Sequence, residues 1–498
     1  MTQRNWIGAG LALALCSTAL ASCSNKGSPP ANENAAHATG QLAWNDDAAK
    51  QLQEIIAQAP ANGLKPELFL KGNPPSDGAG HAEVLTNAAL HYAEALVHGY
   101  ADPTKIWTVY TIPRPAADVR QGLAQALQNG KLADWFASLP PRTDEYKALS
   151  RAHLHYLGLV GKGQFRPVPQ GKPIKPGTHD WRVPAVAAAL RMAGYLDSQS
   201  VEPGESTPRS NGAKASTLYS PELVAAVKQL QAEFGFKADG VIGGDTLDAL
   251  NASPGYRARQ TAIAMERLRW LQRDPPRTRI DVNTASATLD FWRDGNHIDR
   301  RTVVVGEPDK QTPQLQAPIF RLVANPTWTV PKSIAESELA EKSQGWLEAN
   351  NFVMKNGKYV QQSGPKNSLG LVKFDMQDDQ AIYLHDTPAK ALFGLPDRHR
   401  SHGCVRVENA LQLAGNIAQQ QGVLGEFKKA LTSKDETFVE LQNPIPVRLL
   451  YHTAFWDGQN IQFRPDLYGW DDEVARALGF EKGPPRQPYK PEGEDIGP

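Results

Sequence analysis

The hydrophobic pattern of this 498-residue chain changes its period near residue 278, from that of helices to that of strands. Before this point apolar side chains recur at helical spacing, as at Leu52, Ile55, Ile56 and Ala59. After it, alternating or β-branched runs such as 278–283 predict strands. A chain of this length exceeds one hydrophobic core, so we expect two to four domains. The sequence therefore predicts an α+β multidomain protein whose helical part precedes a mainly β part.

The helical part divides at a linker rich in glycine, proline and lysine, residues 162–178. We expect a helical scaffold domain at 44–165 and a second, small helical domain at 173–255. Ser220 and Pro221 predict the start of one helix in the second domain, since serine favours the N-cap and proline the first turn.

The β part is predicted at 278–470, with an interruption at 332–362. That insertion opens on the capping-box pattern of Ser333 and Glu336 and is predicted to be helical. An insertion beside a site acts either as a lid or as surface decoration, and the sequence does not choose. Residues 483–498 are predicted to form a tail rich in proline and glycine.

The first 22 residues are typical of an export signal. Arg4 precedes an apolar stretch that is shorter than the roughly 20 residues needed to span a bilayer. The residues before Cys23 resemble a bacterial lipobox, which predicts cleavage before Cys23, a lipid on its thiol and a flexible tether at 23–43. Cleavage after Ala21, with Cys23 left free, is the alternative. We expect a periplasmic protein with a lipid anchor, the outer membrane being favoured because Ser24 is not aspartate.

Charge and cysteine content narrow the function further. Lys plus Arg and Asp plus Glu both total 53, and this zero net charge argues against a nucleic-acid partner. Of the three cysteines, Cys16 leaves with the signal and Cys23 takes the lipid. Cys404 is then the one thiol left, and it has no partner for an internal disulfide. A lone thiol in an oxidising compartment is best explained by catalysis.

Cys404 lies in the segment 401–406, Ser-His-Gly-Cys-Val-Arg, and His385 lies 19 residues upstream at a predicted strand end. A thiol beside an imidazole is the minimum equipment for acyl transfer. We expect an imidazolium to lower the thiol pKa from its usual value of about 8.5. The backbone N–H groups of Gly403 and Cys404, at a turn leading directly into a helix at 409–420, are candidates for an oxyanion hole.

Three other interpretations of Cys404 remain. It could join His385, His399 and His402 around zinc, although their spacing matches no common zinc site. It could be a buried structural cysteine, or a redox-sensing thiol. We expect no metal and no cofactor.

Two segments resemble known families. Lys228 to Gln231, Asp239 to Gly243 and Thr246 to Leu250 together resemble the type 1 peptidoglycan-binding domain. That resemblance implies either glycan binding or a spacer role. His385-Asp386-Thr387 followed by the segment 401–407 resembles the signature of the YkuD-like L,D-transpeptidases, with Asp386 where many members carry glycine. The large subgroup of that family also has a helical scaffold, a peptidoglycan-binding module and a lid insertion.

This second resemblance implies roles for individual residues. Cys404 would be the nucleophile and His385 the proton donor and acceptor. His402 and Arg406 would shape the pocket, with Arg406 either pairing with a stem-peptide carboxylate or fixing the loop. The remaining implied pocket residues are Tyr383, Asn367 and Ser368.

The implied reaction is peptidoglycan cross-linking. The thiolate would attack the third residue of a tetrapeptide stem, D-alanine would leave, and the amine of another stem's diaminopimelate would take the acyl group to give a 3–3 cross-link. Water as acceptor would instead give an L,D-carboxypeptidase or endopeptidase. A wall-binding lipoprotein with an inactive catalytic domain is the non-enzymatic alternative.

Overall fold

The computed structural model describes residues 42–72, 79–161, 165–196, 216–483 and Gly497. The predicted signal segment, Cys23, the tether up to residue 41 and nearly all of the tail beyond 483 lie outside these residues. Within the described part of the chain, no helix combines the length and the apolar character needed to cross a membrane.

The predicted scaffold domain is helical. Its helices α1 to α6 are Asp46–Ala57, Ala79–His98, Pro103–Ile106, Val119–Gln128, Leu132–Ser138 and Asp144–Leu159. Leu52, Ile56 and Ala59 are buried as the sequence pattern predicts, in one core with Leu123 and Phe136. Four of these helices begin at residues whose side chains accept a backbone N–H, which satisfies donors that a helix start leaves open; these residues are Asn45, Asp102, Asp118 and Thr143.

The second helical domain contains α7 (Val183–Met192), α8 (Pro221–Glu233) and α9 (Gly244–Leu250). Ser220 caps α8 as predicted, since its hydroxyl accepts the Leu223 N–H. Part of the linker predicted at 162–178 belongs to this domain, because Val168 is buried in the domain's core together with Ile174. Ile174 also pairs with Ile242 as an isolated β-bridge, so the extended segment completes the domain.

Helix α10 (Pro254–Arg269) is buried along almost its whole length between the helical domains and the rest of the chain. The end of the chain returns to the same region. The hairpin of β13 (Ala454–Trp456) and β14 (Ile461–Phe463) packs on the second helical domain, and α15 (Asp471–Ala477) packs on the scaffold. The predicted β domain at 278–470 is therefore joined to both helical domains through residues that follow its main sheet.

The β part is built around one nine-stranded sheet. Its strands are β1 Arg279–Asn283, β2 Thr288–Arg293, β3 Asn296–Gly306, β4 Leu315–Ala324, β8 Val372–Met376, β9 Leu384–His385, β10 His399–Ser401, β11 Val405–Val407 and β12 Thr437–Leu450. The order is β10-β3-β11-β9-β8-β4-β12-β1-β2, and β2 also pairs with β3, so eight strands close into a ring. Helices α13 (Ala410–Gln420) and α14 (Leu424–Ser433) pack against its apolar core.

We predicted that the cysteine segment leads directly into a helix, and this is wrong. Strand β11 intervenes, and Asn409 then takes a left-handed conformation before α13 begins at Ala410. All three residues of β11 are buried, and the strand pairs with β3 on one side and β9 on the other, so sheet pairing prevails over helix formation for three residues.

The insertion at 332–362 is mixed rather than wholly helical. It holds α11 (Lys332–Ile334), a π-helical turn at Ala335–Leu339, α12 (Gln344–Ala349), β6 (Phe352–Lys355) and β7 (Lys358–Gln361). The last two strands form a small sheet with β5 (Trp328–Thr329), which comes just before the insertion. The predicted capping box is wrong, because α11 begins after Pro331 without a side-chain cap. Leu339, Leu347 and Phe352 of the insertion form an apolar cluster with flanking residues such as Trp328 and Leu369.

Candidate active site

The sheet brings the cysteine segment and His385 to neighbouring strands. β11 pairs in parallel with β9, so that Arg406 lies opposite His385. Cys404 comes immediately before β11, and the N–H of Val405 donates to the Tyr383 carbonyl at 3.1 Å. The two predicted catalytic residues are thus fixed by backbone pairing rather than by a free loop.

A turn held by side-chain hydroxyls presents Cys404. The Ser401 hydroxyl donates to the Cys404 carbonyl at 2.6 Å and accepts the Gly403 N–H at 3.2 Å. The Thr312 hydroxyl donates to the Gly403 carbonyl at 2.8 Å. Gly403 has φ +116°, which strains any other residue. The Gly403 N–H already donates to Ser401 and is not open to a second acceptor in this structure. Its role in an oxyanion hole stays a prediction.

The Cys404 thiol is buried beside Tyr383, and its sulfur lies 3.8 Å from the Ala381 carbonyl oxygen. Burial raises the pKa of this thiol to about 11, and hydrogen bonds from the Tyr383 N–H and hydroxyl only partly offset that. The expected lowering of the thiol pKa is therefore wrong for this conformation. The reason is that desolvation disfavours the thiolate more than the neighbouring groups stabilise it.

His385 is fully buried and lies with its ring centroid 5.7 Å from that of Tyr383. Burial, together with the positive charges of Arg406, Lys373 and Lys390, holds the pKa of this imidazole well below 6.5. Nδ1 donates to the Asp386 carbonyl at 2.5 Å, while Nε2 has no hydrogen-bond partner among the described residues. The ring is therefore neutral, with a lone pair on Nε2 available to accept a proton.

Asp386, the departure from the usual glycine, supports this arrangement. Its carboxylate accepts the Leu371 N–H at 3.0 Å and pairs with Lys390. Gly370 makes room for it, because a Cβ at that position would lie 2.3 Å from the Asp386 carboxylate oxygen. The carboxylate thereby fixes the backbone whose carbonyl orients His385.

Comparison with known proteins identifies this region. The family model described as "L,D-transpeptidase catalytic domain" matches residues 277–434. This range runs from β1 to α14 and contains every strand of the eight-stranded ring except β12. The chain carries an L,D-transpeptidase catalytic domain. Residues 36–152 match a "Scaffold domain", and residues 182–250 match a "Putative peptidoglycan binding domain".

The chain is also similar to a "Putative L,D-transpeptidase" of Haemophilus influenzae, at 32% identity over 222 residues. That alignment spans 40% of this chain and 45% of the relative, less than half of either protein. Two solved L,D-transpeptidase structures are similar to this chain. The one from Xylanimonas cellulosilytica has 15% identity and a TM-score of 0.20, covering 56% of this chain and 98% of its own. The one from Stackebrandtia nassauensis has 14% identity and a TM-score of 0.22, and the match covers 57% of this chain and 97% of that one.

Three further predicted residues of the L,D-transpeptidase domain are largely buried. The guanidinium of Arg406 approaches Gly497, and the residue is 1% exposed. Asn367 uses both amide hydrogens on the carbonyls of Gln361 and Gln362, which makes it a structural anchor of the turn. Ser368 lies beside Gly497, and its N–H donates to the Gln361 side chain. Substrate binding by these three residues stays a prediction.

His402 faces the insertion and the end of the chain. Its Nδ1 lies 2.7 Å from the Gly497 carbonyl oxygen. Its Nε2 lies 2.6 Å from Lys310 Nζ and 2.5 Å from a Glu338 oxygen. Of the other residues in the zinc alternative, His399 is held by Asp397 and the Thr284 carbonyl. The described residues contain no group of three or more His, Cys, Asp or Glu side chains able to hold a metal ion.

Sequence reasoning missed four residues of this site. Lys373 lies opposite His385 across β8 and β9, with its ammonium 4.3 Å from the centre of the Tyr383 ring. Lys310 and Thr312 come from the loop between β3 and β4, and Glu338 comes from the π-helical turn. Only the sheet register could have indicated Lys373, and the other three are unremarkable in sequence.

Proposed function

We propose that this chain is a peptidoglycan L,D-transpeptidase that forms 3–3 cross-links between diaminopimelate residues and releases D-alanine. The observation that carries this proposal is the pairing of β9 with β11. It supports the proposal because His385, with no hydrogen-bond partner for Nε2 among the described residues, lies on the strand beside β11, which Cys404 immediately precedes, in a region that matches this family's catalytic domain.

The first step is attack on the donor stem. As the Cys404 sulfur adds to the carbonyl of the third residue, its proton passes to His385 Nε2. A raised thiol pKa and a lowered imidazole pKa make the neutral pair the resting state, so proton transfer accompanies attack. The Tyr383 hydroxyl and the Cys404 N–H then donate to the developing oxyanion.

The second step releases and transfers the acyl group. The amine of D-alanine leaves with the proton from His385, and a thioester remains on Cys404. The side-chain amine of an acceptor stem attacks this thioester and loses its proton to His385, which frees the thiol. The donor peptide bond supplies the free energy, so the reaction needs neither a nucleotide nor a metal.

Location and attachment to the wall belong to the same proposal. Export, a lipid on Cys23 and retention at a periplasmic membrane face, with the outer membrane favoured, would place the enzyme beside its substrate. Residues 182–250 would engage the glycan, in keeping with the family description that they match. A Cys23→Ser chain recovered from the membrane fraction would contradict the anchor, and a full chain that does not sediment with insoluble sacculi would make the domain a spacer.

The test of the reaction uses purified protein and disaccharide-tetrapeptide units, with products followed by mass spectrometry. We expect a thioester adduct on Cys404, free D-alanine and cross-linked dimers. Tripeptide without dimers would replace the cross-linking proposal with the L,D-carboxypeptidase alternative. If the chain forms no adduct and releases no D-alanine, the alternative of a wall-binding protein with an inactive catalytic domain replaces the proposal.

The nucleophile is tested separately. A Cys404→Ala chain should form no adduct and release no D-alanine, while Cys404→Ser serves as the matched control for size. A carbapenem should add its own mass to the wild-type chain and not to Cys404→Ala. D-alanine release by Cys404→Ala would remove the assignment of Cys404.

A further inference from the structure

The Lys310, His402 and Glu338 cluster lies at the edge of the cysteine turn. Lys310 lies in the loop between β3 and β4 and His402 in the turn between β10 and β11, whereas Glu338 belongs to the insertion. A Glu338 oxygen lies 2.5 Å from His402 Nε2 and 3.9 Å from Lys310 Nζ. A carboxylate from one part of the domain thus rests against two nitrogen groups from another.

The loop that carries Lys310 is rigidly built against the cysteine turn. A Cβ at Gly306 would lie 2.2 Å from the Lys310 carbonyl oxygen, so the loop follows the end of β3 in close contact. Thr312 ties the same loop to both ends of the contact, accepting the Gly306 N–H and donating to the Gly403 carbonyl. Lys310 is therefore held beside His402, which comes two residues before Cys404.

Glu338 uses only one of its two carboxylate oxygens in the contact with Lys310 and His402. Its second carboxylate oxygen is buried and has no hydrogen-bond partner among the described residues. A buried acceptor without a donor costs free energy, so a better-matched carboxylate can displace it. Glu338 also sits in a π-helical turn, a strained form that is frequent at functional sites.

The other ring nitrogen of His402 is occupied by peptide backbone. Nδ1 lies 2.7 Å from the Gly497 carbonyl oxygen. The same imidazole therefore contacts a carboxylate on one side and a peptide carbonyl on the other. These are the two groups that the end of a stem peptide offers together.

We propose that Lys310 and His402 form the subsite for the terminal carboxylate of the donor stem, and that Glu338 occupies it in the resting protein. The subsite rests on the proposed function, because its ligand is the leaving residue of that reaction. Binding of a donor displaces Glu338, and the ammonium of Lys310 pairs with the incoming carboxylate. Stems without a free terminal carboxylate gain nothing from this subsite.

The experiment compares a tetrapeptide-stem disaccharide with its C-terminal amide, using the full chain and following acylation of Cys404 by intact mass. Lys310→Met should raise the half-saturating concentration of the acid about tenfold, the loss of one charge-assisted contact, and leave that of the amide unchanged. Glu338→Gln should lower the half-saturating concentration of the acid severalfold, because the competing occupant loses its charge.

Matched controls come from the same insertion. Lys332 and Glu336 form an exposed pair, with side chains 87% and 67% exposed. Lys332→Met and Glu336→Gln should change neither substrate. Equal losses for acid and amide in Lys310→Met, or no gain in Glu338→Gln, would overturn the subsite. A wild-type chain that acylates with neither peptide would instead overturn the proposed function.

Discussion

Helix α10 and the candidate active site both bury titratable side chains, but they do so in opposite ways. On α10 two arginines are buried in ion pairs: Arg269 with Glu266 at 2.5 Å, and Arg267 with Asp471 of α15 at 2.5 Å. In the candidate active site, Cys404 and His385 are buried as neutral groups. Pairing removes reactivity, whereas burial without pairing shifts the pKa of each reactive group and leaves its lone pair open.

The residues of these pairs also connect α10 to distant parts of the chain, as Arg267 does through Asp471. Glu266 also accepts the Ala101 N–H at 2.7 Å and the Trp270 ring N–H at 3.1 Å, which connects α10 to the scaffold. The contrast therefore separates residues that hold the domains together from residues that carry chemistry. Four predictions test whether that separation is correct.

The largest effect is expected for His385→Gln, which removes the open ring nitrogen Nε2 from the candidate active site. Acylation by the tetrapeptide at neutral pH should fall by roughly 10² to 10⁴. The residual rate should rise about tenfold per pH unit toward the thiol pKa of about 11, since hydroxide must then supply the thiolate. A variant rate that is independent of pH would contradict the role of His385 as base.

Glu266→Ala should weaken the fold rather than the chemistry. It leaves the Arg269 charge and two N–H groups buried without their acceptor, a loss of about 3–5 kcal/mol seen as a lower unfolding midpoint. Glu473→Ala breaks the exposed pair with Arg476 and should cost under about 1 kcal/mol. Equal shifts in the two variants would remove the distinction between buried and exposed pairs.

Tyr383→Phe removes the hydroxyl that bonds to the sulfur and keeps the ring. We expect acylation to slow on the order of 100-fold, with an unchanged unfolding midpoint, because the lost donor stabilises charge in the transition state. Lower stability with a normal acylation rate would place Tyr383 with the structural residues instead.

The smallest effect is the shape of the wild-type pH profile. The pKa of His385 lies well below 6.5, so the ring stays neutral as pH falls through 6.5 and is protonated only in more acidic solution. The acylation rate at low donor concentration should therefore stay flat from about pH 9 down past 6.5 and decline only below it. A decline centred on 6.5 would mean that the ring is solvated during the reaction.

The sequence was sufficient for the parts of the site that lie within one motif. Cys404 and His385 are indicated by residue type and spacing, and the helical scaffold by its period. The raised pKa of the Cys404 thiol, where we expected a lowered one, was not predictable from the sequence. It depends on how deeply the folded domain buries position 404. Lys310 and Glu338 meet through a loop and an irregular turn whose paths no local pattern specifies.

The insertion shows the same limit in another way. Ser333 and Glu336 satisfy the pattern of a capping box, yet the local chain takes a three-residue helix followed by a π-helical turn. Packing of Leu339 into the apolar cluster of the insertion outweighs the local preference. Tertiary contacts thus decided the one feature that places Glu338 against His402.

The return of the chain end to the helical domains affects the order in which this protein can fold. Val474, Ala475 and Leu478 complete the apolar core begun by Leu52 and Leu123, more than 300 residues earlier. The interior of the scaffold can therefore close only after residues 474–478 have packed into it. Such long-range closure slows folding, and a chain cut short after β12 would keep that interior open to water.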